Sequence, residues 1–265
     1  MFERSLYKTE EEIELIRESS LLVGKTHAEV ARHLEPGVTT GELDAVAETF
    51  IRDHDAAPGF KGYNGFPATL CISINEQVVH GIPGKQVIRE GDIVSVDCGV
   101  LKNGFYGDSA YTYGIGPLHP KVEMLLRVTK ESLAKGIEAA VAGNRLGDIG
   151  YAIQYHVEMH GFSVVRELVG HGIGRKLHEK PEVLNYGRRG TGSRLKEGLV
   201  ICIEPMVNLG SRTVAQDSDG WTIRTFDRQP SAHFEHAIVV RKGSAEVLST
   251  YEYIEKVLSE KQNIL

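Results

Sequence analysis

Residues 90–100 read Glu-Gly-Asp-Ile-Val-Ser-Val-Asp-Cys-Gly-Val, and residues 197–207 read Glu-Gly-Leu-Val-Ile-Cys-Ile-Glu-Pro-Met-Val. At an offset of 107 residues both segments begin with Glu-Gly, continue with β-branched side chains and reach a carboxylate, Asp97 in one and Glu204 in the other. Such runs are typical of strands, and an acid is costly to bury there unless a positive charge meets it. The repeat therefore predicts two half-sites that face each other across a pseudo-twofold axis.

The helical pattern repeats at nearly the same spacing. Thr9 and Thr39 each stand three residues before a glutamate, a capping box that predicts the start of a helix. Residues 120–142 and 146–160 repeat this two-helix pattern at an offset of 106. The matched pairs are Gly37 and Gly143, Gly41 and Gly147, Leu43 and Ile149, and His54 and His160. Since no linker separates the halves, we predict one α+β domain over residues 1–265, with half-repeats at about 9–115 and 119–245.

A hairpin in the first half sets the spacing of two acids. Asn103-Gly104 is the signal of a two-residue hairpin loop, with predicted strands on either side. With this loop Asp97 faces Ala110 and Asp108 faces Gly99. The two aspartates then lie on one face as diagonal neighbours, roughly 7 Å apart at the backbone. Two carboxylates so placed repel each other unless a proton or a cation lies between them.

The second half supplies two counterparts. Glu204 ends a predicted strand over 199–204, and Glu235 opens another with the same acid-x-Ala order as Asp108. The offset between Asp108 and Glu235 is 127, which places about twenty extra residues between 208 and 228. A single acid at a strand end is more often a turn or cap residue, so the prediction rests on recurrence in both halves. Four carboxylates would be neutralised by two divalent cations, which typically lie about 3.5–4 Å apart.

A histidine is predicted to join these acids. His171 lies in Gly170-His-Gly-Ile-Gly174, where glycines on both sides let the backbone bring an imidazole close to a crowded centre. One nitrogen among mostly oxygen ligands favours iron, manganese, cobalt or catalytic zinc over a closed structural zinc site.

Composition excludes several other classes. The net charge of −6 argues against a nucleic-acid substrate. No apolar run reaches membrane-spanning length, and the acidic N-terminus does not resemble a signal peptide. Cys71, Cys98 and Cys202 are odd in number and form no Cys-x-x-Cys motif. We therefore expect Cys98 and Cys202 to be small core residues, with neither a disulfide framework nor a thiolate zinc site, in a cytoplasmic protein.

The acids and His171, in this order and spacing, resemble the metal ligands of the methionine aminopeptidases, which are M24 metallopeptidases. The likeness runs from about Thr9 to the C-terminal region. It implies the pita-bread fold, a curved antiparallel sheet with helices on the outer face and an internal pseudo-twofold repeat. With neither a long N-terminal extension nor a large insertion before the second glutamate, the chain resembles the short, bacterial-type (type I) enzymes. The motifs shared are Asn75-Glu-Gln-Val-Val-His80-Gly-Ile-Pro, Gly107-Asp108, Gly170-His-Gly-Ile-Gly174, Ile203-Glu-Pro-Met and Phe234-Glu-His.

The resemblance also implies the role of each ligand. Asp97 would hold one metal, His171 and Glu204 the other, and Asp108 and Glu235 both. A water activated by the two metals would attack the first peptide bond, with Glu204 as the acceptor of its proton. His80 and His178 would serve catalysis by moving protons and polarising the scissile carbonyl.

Further residues are implied to bind substrate or ions. A polarisable, aromatic-walled pocket suits a methionine thioether, although aromatics near a sheet are more often core residues. Leu177 stands where an aromatic is expected and Phe66 where tyrosine is common, so pocket specificity is less well defined than the chemistry. The pocket residues are Tyr63, Phe66, Cys71, His80, His178 and Trp221. Asn75, Gln77 and Ser231 match a site for a monovalent cation (Na or K).

The implied reaction is removal of the initiator methionine from the N-termini of nascent polypeptides when the second residue is small. The metals are expected among Co, Mn, Fe and Zn. We expect a monomer, with ribosome contact through the basic residues at 188–196 as a further hypothesis. One alternative is an Xaa-Pro aminopeptidase or prolidase, although those usually carry an N-terminal domain. Another is a non-catalytic pita-bread binding protein, although such relatives have usually lost ligands.

Overall fold

The computed structural model describes residues 6–262, and its helices pack outside antiparallel sheets. Both predicted capping boxes are confirmed, since the Thr9 and Thr39 hydroxyls accept from the amides of Glu12 and Glu42. Among the described residues the helices are α1 (Glu10–His33), α2 (Thr40–Asp53), α3 (Pro120–Ala139), α4 (Leu146–Met159) and α5 (Glu252–Gln262). None of these is long and apolar enough to cross a membrane.

The strands form two larger sheets and two small ones. In chain order they are β1 (Ala57–Pro58), β2 (Leu70–Ile74), β3 (Gln77–Val79), β4 (Ile93–Lys102), β5 (Phe105–Gly114), β6 (Ser163–Val164), β7 (Gly170–Gly172), β8 (Glu179–Val183), β9 (Val200–Ile203), β10 (Met206–Asn208), β11 (Val214–Gln216), β12 (Ile223–Thr225), β13 (Ser231–His233), β14 (His236–Val239) and β15 (Glu246–Val247). One larger sheet, from the first half, contains β1, β4 and β2, with β5 paired to β4. The other, from the second half, has the order β15-β14-β9-β7-β8.

The hairpin register predicted from Asn103-Gly104 is confirmed. Asp97 pairs with Ala110, and Asp108 pairs with Gly99. Both loop residues have positive φ, 51° for Asn103 and 78° for Gly104, as a type I′ hairpin turn requires. Strands β4 and β5 run directly up to the turn on both sides. In the second half β9 stops at Ile203, so Glu204 lies directly after the strand instead of ending it.

The two helix pairs share details of hydrogen bonding. The amide of Gly41 in α2 donates to a carbonyl of the facing segment at 2.8 Å, and that of Gly147 in α4 does so at 3.0 Å. His54 and His160 follow these helices, and each ring donates from Nδ1 to the carbonyl four residues earlier, at 2.8 Å in both. The predicted repeat therefore extends to individual side chains.

The extra residues of the second half form a hairpin that returns to the first half. β11 and β12 lie inside the predicted window 208–228, and β12 pairs with β3. The turn after β11 carries Trp221 to the edge of the central cavity. The insertion thus adds a wall that has no counterpart in the repeat.

Close packing holds the second helix pair on its sheet. A Cβ added at Gly136 in α3 would lie 2.9 Å from the Ile153 side chain and 3.2 Å from that of Ile203. Ile153 and Ile203 are fully buried. Because α4 and β9 both pack closely against this glycine, the position of α3 over β9, the strand that leads to Glu204, is fixed.

Candidate metal centre and active site

Four acids from both halves meet where the two larger sheets join. Asp97 lies in β4 and Asp108 in β5. Glu204 directly follows β9, and Glu235 directly precedes β14. The Glu235 amide donates to a β5 carbonyl at 3.0 Å, which joins the halves at this point. All four acids line one cavity together with His171.

His171 presents a free nitrogen to these acids. Its Nδ1 lies 3.0 Å from the Gly172 carbonyl, and because a carbonyl only accepts, Nδ1 carries the proton. Nε2 then has a lone pair, 3.5 Å from Glu204 Oε1 and 3.8 Å from Asp108 Oδ2. A ring fixed in this tautomer by a backbone carbonyl is the usual arrangement of a metal-binding histidine.

The glycines beside His171 have the role predicted for them. A Cβ at Gly170 would lie 2.3 Å from the Cys202 carbonyl oxygen, and one at Gly172 would lie 2.2 Å from that of Lys180. Any side chain at either position would push β7 away from its neighbours and carry His171 out of the centre.

The acids fit metal ions because their buried oxygens are unsatisfied. Within residues 6–262, Asp97 Oδ1, Asp108 Oδ1 and Glu235 Oε1 are buried and have no hydrogen-bond partner. Burial raises the pKa of Asp97 to about 7. Burial, together with the charges of Glu235 and Asp97, raises the pKa of Asp108 well above its usual value. A cluster this costly to ionise is stabilised by cations at its centre.

Cys202 also lies in this centre. The sequence had indicated only a core residue, with no position beside the ligands. Its thiol and one ligand atom each of Asp108, His171 and Glu235 lie within 4.8 Å of one another. Burial, with the negative charges of Glu235 and Asp108, raises the pKa of Cys202 well above its usual value, so the thiol stays protonated beside these acids. The prediction of a small core residue is confirmed, since Cys202 is fully buried. Its place two residues before Glu204, on the same side of the chain, was the signal available.

The cavity beside the acids measures about 350 Å³, and aromatic side chains form much of its wall. Phe66 and Trp221 meet edge to face, with ring centroids 5.1 Å apart. Leu177 is buried in the same wall, at 1% exposure, so the missing aromatic is replaced by a packed aliphatic side chain. The cavity contains every residue predicted to bind substrate: Tyr63, Phe66, Cys71, His80, His178 and Trp221. It also contains Phe60, Glu167, Leu168 and Val169, which no sequence pattern had indicated.

Two neutral histidines border the acids. Burial and the neighbouring His178 lower the pKa of His80 to about 4, and burial lowers that of His178. The His178 ring meets the His171 ring edge to face at 4.2 Å, and its Nδ1 lies 2.8 Å from the Tyr63 hydroxyl. His80 has a φ of 59°, the left-handed region, a strain that is commonly kept at functional sites.

The residues predicted to bind a monovalent cation lie close together, away from the acids. The Ser231 amide donates to the Asn75 carbonyl at 2.9 Å, and the Ile74 amide donates to Gln77 Oε1 at 2.8 Å. Ser231 Oγ donates to Asn208 Oδ1 at 2.8 Å. The cation site stays a prediction.

Comparison with known proteins shows close relatives over nearly the whole chain. Residues 14–242 match metallopeptidase family M24. A methionine aminopeptidase of Clostridium perfringens is 51% identical over 244 residues, 92% of this chain and 98% of the relative.

Solved structures give the same picture. The crystal structure of methionine aminopeptidase from Rickettsia prowazekii superposes with a TM-score of 0.91 at 43% identity, covering 92% of this chain and 99% of that one. The pita-bread fold is therefore confirmed. A prolidase from Pyrococcus horikoshii superposes at 0.77 with 22% identity and is covered over 64% of its length, which shows a shared fold alone.

Proposed function

This chain belongs to metallopeptidase family M24, and we propose that it is a methionine aminopeptidase that removes the initiator methionine from nascent proteins when the second residue is small. The observation that carries this proposal is that the acid cluster and His171 line one cavity together with aromatic side chains. We infer that the N-terminal residue of a peptide occupies the aromatic part of this cavity, with its first peptide bond beside the acids.

The family and the acid cluster support the use of divalent metal ions. We propose two ions, drawn from Co, Mn, Fe and Zn, held as the resemblance implies by Asp97, Asp108, His171, Glu204 and Glu235. When bound, they would make water a nucleophile at neutral pH and draw electrons from the scissile carbonyl. Burial, with the charges of Asp97 and Asp108, raises the pKa of Glu204 well above its usual value. Bound cations would offset these charges and keep Glu204 ionised, and as the resemblance implies, it would accept a proton from the attacking water.

The two histidines act on the substrate as neutral donors. Because His178 Nδ1 bonds to the Tyr63 hydroxyl, the other ring nitrogen remains for the substrate. An imidazole N–H directed at the scissile carbonyl would stabilise the negative charge that develops on its oxygen. His80, which lines the same cavity, would pass a proton to the departing amine.

The cavity supports methionine as the released residue. A long, unbranched thioether fits an irregular apolar cavity and gains sulfur–aromatic contacts of about 0.3–1.5 kcal/mol. Phe66 and Trp221 supply aromatic edges, and Cys71 and Leu177 fill the space between them. A charged side chain would lose its hydration against the apolar wall of Phe66, Leu177 and Trp221.

The first experiment is peptidase activity of chelator-stripped protein with Mn(II), Fe(II), Co(II) or Zn(II) added back. The substrates are Met-Ala-Ser, Leu-Ala-Ser and an Xaa-Pro peptide, and Asp97→Ala is the matched control. Metal-restored release of methionine alone, absent in the variant, supports the proposal and ranks the metals. Preference for the Xaa-Pro peptide would identify a prolidase-like enzyme. No cleavage with any metal would favour a binding protein.

Several finer proposals accompany this one. We propose a monomeric cytoplasmic enzyme whose two half-repeats form a single domain, because both halves supply acids to one cavity. A monovalent cation (Na or K) bound near Asn75, Gln77 and Ser231 would stabilise the strands around β3.

We also propose ribosome contact through the basic residues 188–196. Arg189 stacks on Tyr151 at 4.5 Å from its ring centroid, which holds this loop on α4. Co-sedimentation with ribosomes, using a variant with Arg188, Arg194 and Lys196 changed to Ala, tests the contact. Unchanged sedimentation would show that the loop has no such role.

A further inference from the structure

A second group of histidine and carboxylate ligands lies on the outer side of the helix layer. Glu131 comes from α3, His156 from α4, and His160 directly follows α4. All three are half-buried, and one ligand atom from each lies within 4.8 Å of the others. We propose that these residues form a separate binding site for one divalent transition-metal ion. Neither the proposed peptidase chemistry nor the acid cluster uses any of them.

The two histidines are spaced and oriented as metal ligands. They stand four residues apart, which places both rings on one face of the helix, with ring centroids 4.7 Å apart. His160 Nδ1 donates to the His156 carbonyl at 2.8 Å. Since that nitrogen holds the proton, the neutral ring presents the lone pair of Nε2. A backbone carbonyl fixing the tautomer in this way is the usual support for a ligating imidazole.

Glu131 completes the set with a negative charge. Its Oε2 lies 3.0 Å from His156 Nε2, and its Oε1 accepts from Arg127 Nη1 at 3.1 Å. Burial opposes ionisation, but the His156 hydrogen bond and the Arg127 charge lower the pKa of Glu131 overall. A carboxylate with two imidazoles is the donor set of zinc sites that keep one position open. Nitrogen donors select Zn²⁺, Ni²⁺, Cu²⁺ or Co²⁺ over Ca²⁺ and Mg²⁺.

Binding requires one rearrangement of protons. The hydrogen between His156 and Glu131 is held on Nε2, because the carboxylate is ionised. When a metal ion takes its place, this proton moves to Nδ1 of the same ring. The carboxylate and the freed Nε2 lone pair then both face the ion.

The first half of the chain repeats the backbone of this proposed site, but only one of the three ligand residues recurs in it. At the repeat offset of 106 residues, Lys25, Phe50 and His54 correspond to Glu131, His156 and His160. Lys25 and Phe50 border one surface cavity, and His54 has the same Nδ1 bond as His160. His54 therefore offers a matched control for the site.

The test uses the untagged full chain and Zn²⁺ alone. After equilibrium dialysis against zinc, the wild-type protein should retain one more ion per chain than the His156→Gln, His160→Gln double variant. Glu131→Gln, which preserves shape, should weaken zinc binding at this site at least about tenfold, because even outer-sphere partners are worth 10–100-fold. His54→Gln should leave the zinc count unchanged.

Immobilised Ni²⁺ gives a second measurement, since a matrix-bound ion cannot reach the buried catalytic ligands. Wild type and His54→Gln should elute at the same imidazole concentration, and the double variant earlier. Unchanged peptidase activity of the double variant would show that it is folded. The proposal is wrong if the double variant keeps the wild-type zinc count, or if retention is lost instead in His33→Gln, which removes the surface histidine paired with Glu29.

Discussion

At the end of α2 the His54 ring lies on Phe50, with centroids 4.2 Å apart, and at the end of α4 the His160 ring lies against His156 at 4.7 Å. Both histidines make the same bond to the carbonyl four residues earlier. Two exchanges, Phe50 for His156 and Lys25 for Glu131, therefore separate an apolar helix end from the proposed set of metal ligands. Outward-facing positions of the repeat diverge while its backbone is retained.

Positions that face the pseudo-twofold axis behave differently. Asp97 corresponds to Glu204, and Asp108 to Glu235, so the second half replaces each aspartate with a longer carboxylate and keeps the charge. These acids converge on one cavity. An exchange that removed one charge would leave the others without a shared cation, whereas an outward residue such as Phe50 can change alone.

The equivalence of the inward-facing acids would be contradicted most clearly if the two halves contributed unequally to catalysis. We expect Asp108→Asn and Glu235→Gln each to lower kcat/KM at least about 10³-fold, or about 4 kcal/mol, because both carboxylates are proposed to hold both metals. Cleavage of Met-Ala-Ser at saturating Co(II) or Mn(II) measures this. Glu131→Gln is the control for the same chemical change elsewhere. Retention of a tenth of the activity in either variant would show that the acids are not equivalent.

The first half contains a buried histidine that the second half lacks at the matching position. Its titration should make the free energy of unfolding depend on pH. His27 in α1 corresponds to Leu133 in α3, and both are buried. His27 Nε2 donates to the Ser109 carbonyl at 2.9 Å, and burial lowers its pKa to about 4. Below its unfolded pKa of 6.5 the unfolded chain binds a proton that the folded chain does not. His27 therefore removes stability as the pH falls from about 6.5 to about 4, by up to about 3 kcal/mol.

Urea unfolding of the wild type and His27→Gln at pH 7 and pH 4.5 measures this effect. The variant should be less stable at pH 7, where it loses packing, and should recover relative to the wild type at pH 4.5. His33→Gln, an exposed residue of the same helix, should show no such recovery. An equal difference at both pH values would mean that His27 does not titrate in this range.

Gly41 and Gly147 leave room for the segments that face them. Alanine should be more destabilising at the glycine whose added Cβ would be more crowded. A Cβ at Gly147 would lie 2.3 Å from Thr191 Oγ1 and 2.5 Å from the Arg188 carbonyl oxygen, whereas one at Gly41 would lie 2.9 Å from the Gly84 carbonyl oxygen. We expect Gly147→Ala to cost about 2–3 kcal/mol of unfolding free energy and Gly41→Ala about 1 kcal/mol. Urea titrations give both values. The reverse order would indicate that the 188–191 loop yields more easily than residue 84.

The smallest expected effect concerns a contact between the halves. Tyr63→Phe removes the hydroxyl bonded to His178 and leaves the aromatic wall in place. A net loss of about 0.5–1.5 kcal/mol should lower kcat about 2–10-fold with little change in KM. Steady-state kinetics at several Met-Ala-Ser concentrations separate the two constants, with the exposed Tyr155→Phe as control. A rise in KM alone would assign Tyr63 to substrate binding.

Much of the fold could be predicted from local sequence signals. The Asn103-Gly104 turn determines the register that brings Asp97 and Asp108 to one face, because this residue pair readily adopts the positive φ at both positions that a type I′ hairpin turn requires. The capping boxes locate the helix starts for an equally local reason, since the hydrogen bonds span three residues. The repeat then indicated which acids belong together.

What could not be predicted depends on contacts between distant segments. The pairing of β12 with β3 joins residues more than 140 positions apart, and neither strand carries a pattern that specifies its partner. Glu167 enters the cavity from a loop for the same reason. Glu131 and His156 come from different helices, and only the packing of α3 on α4 places them 3.0 Å apart.

The hairpin β11–β12 has a consequence for how a peptide is oriented. A cleft built on a twofold axis presents matching carboxylates from either side and would accept a chain in two opposite directions. The hairpin has no duplicate, and it sets the indole of Trp221 against Phe66 at one end of the cleft only. The insertion thus makes the two ends of the cleft different. Because a symmetric cleft could not distinguish the beginning of a polypeptide from its end, we expect these two residues to determine the direction in which a peptide binds.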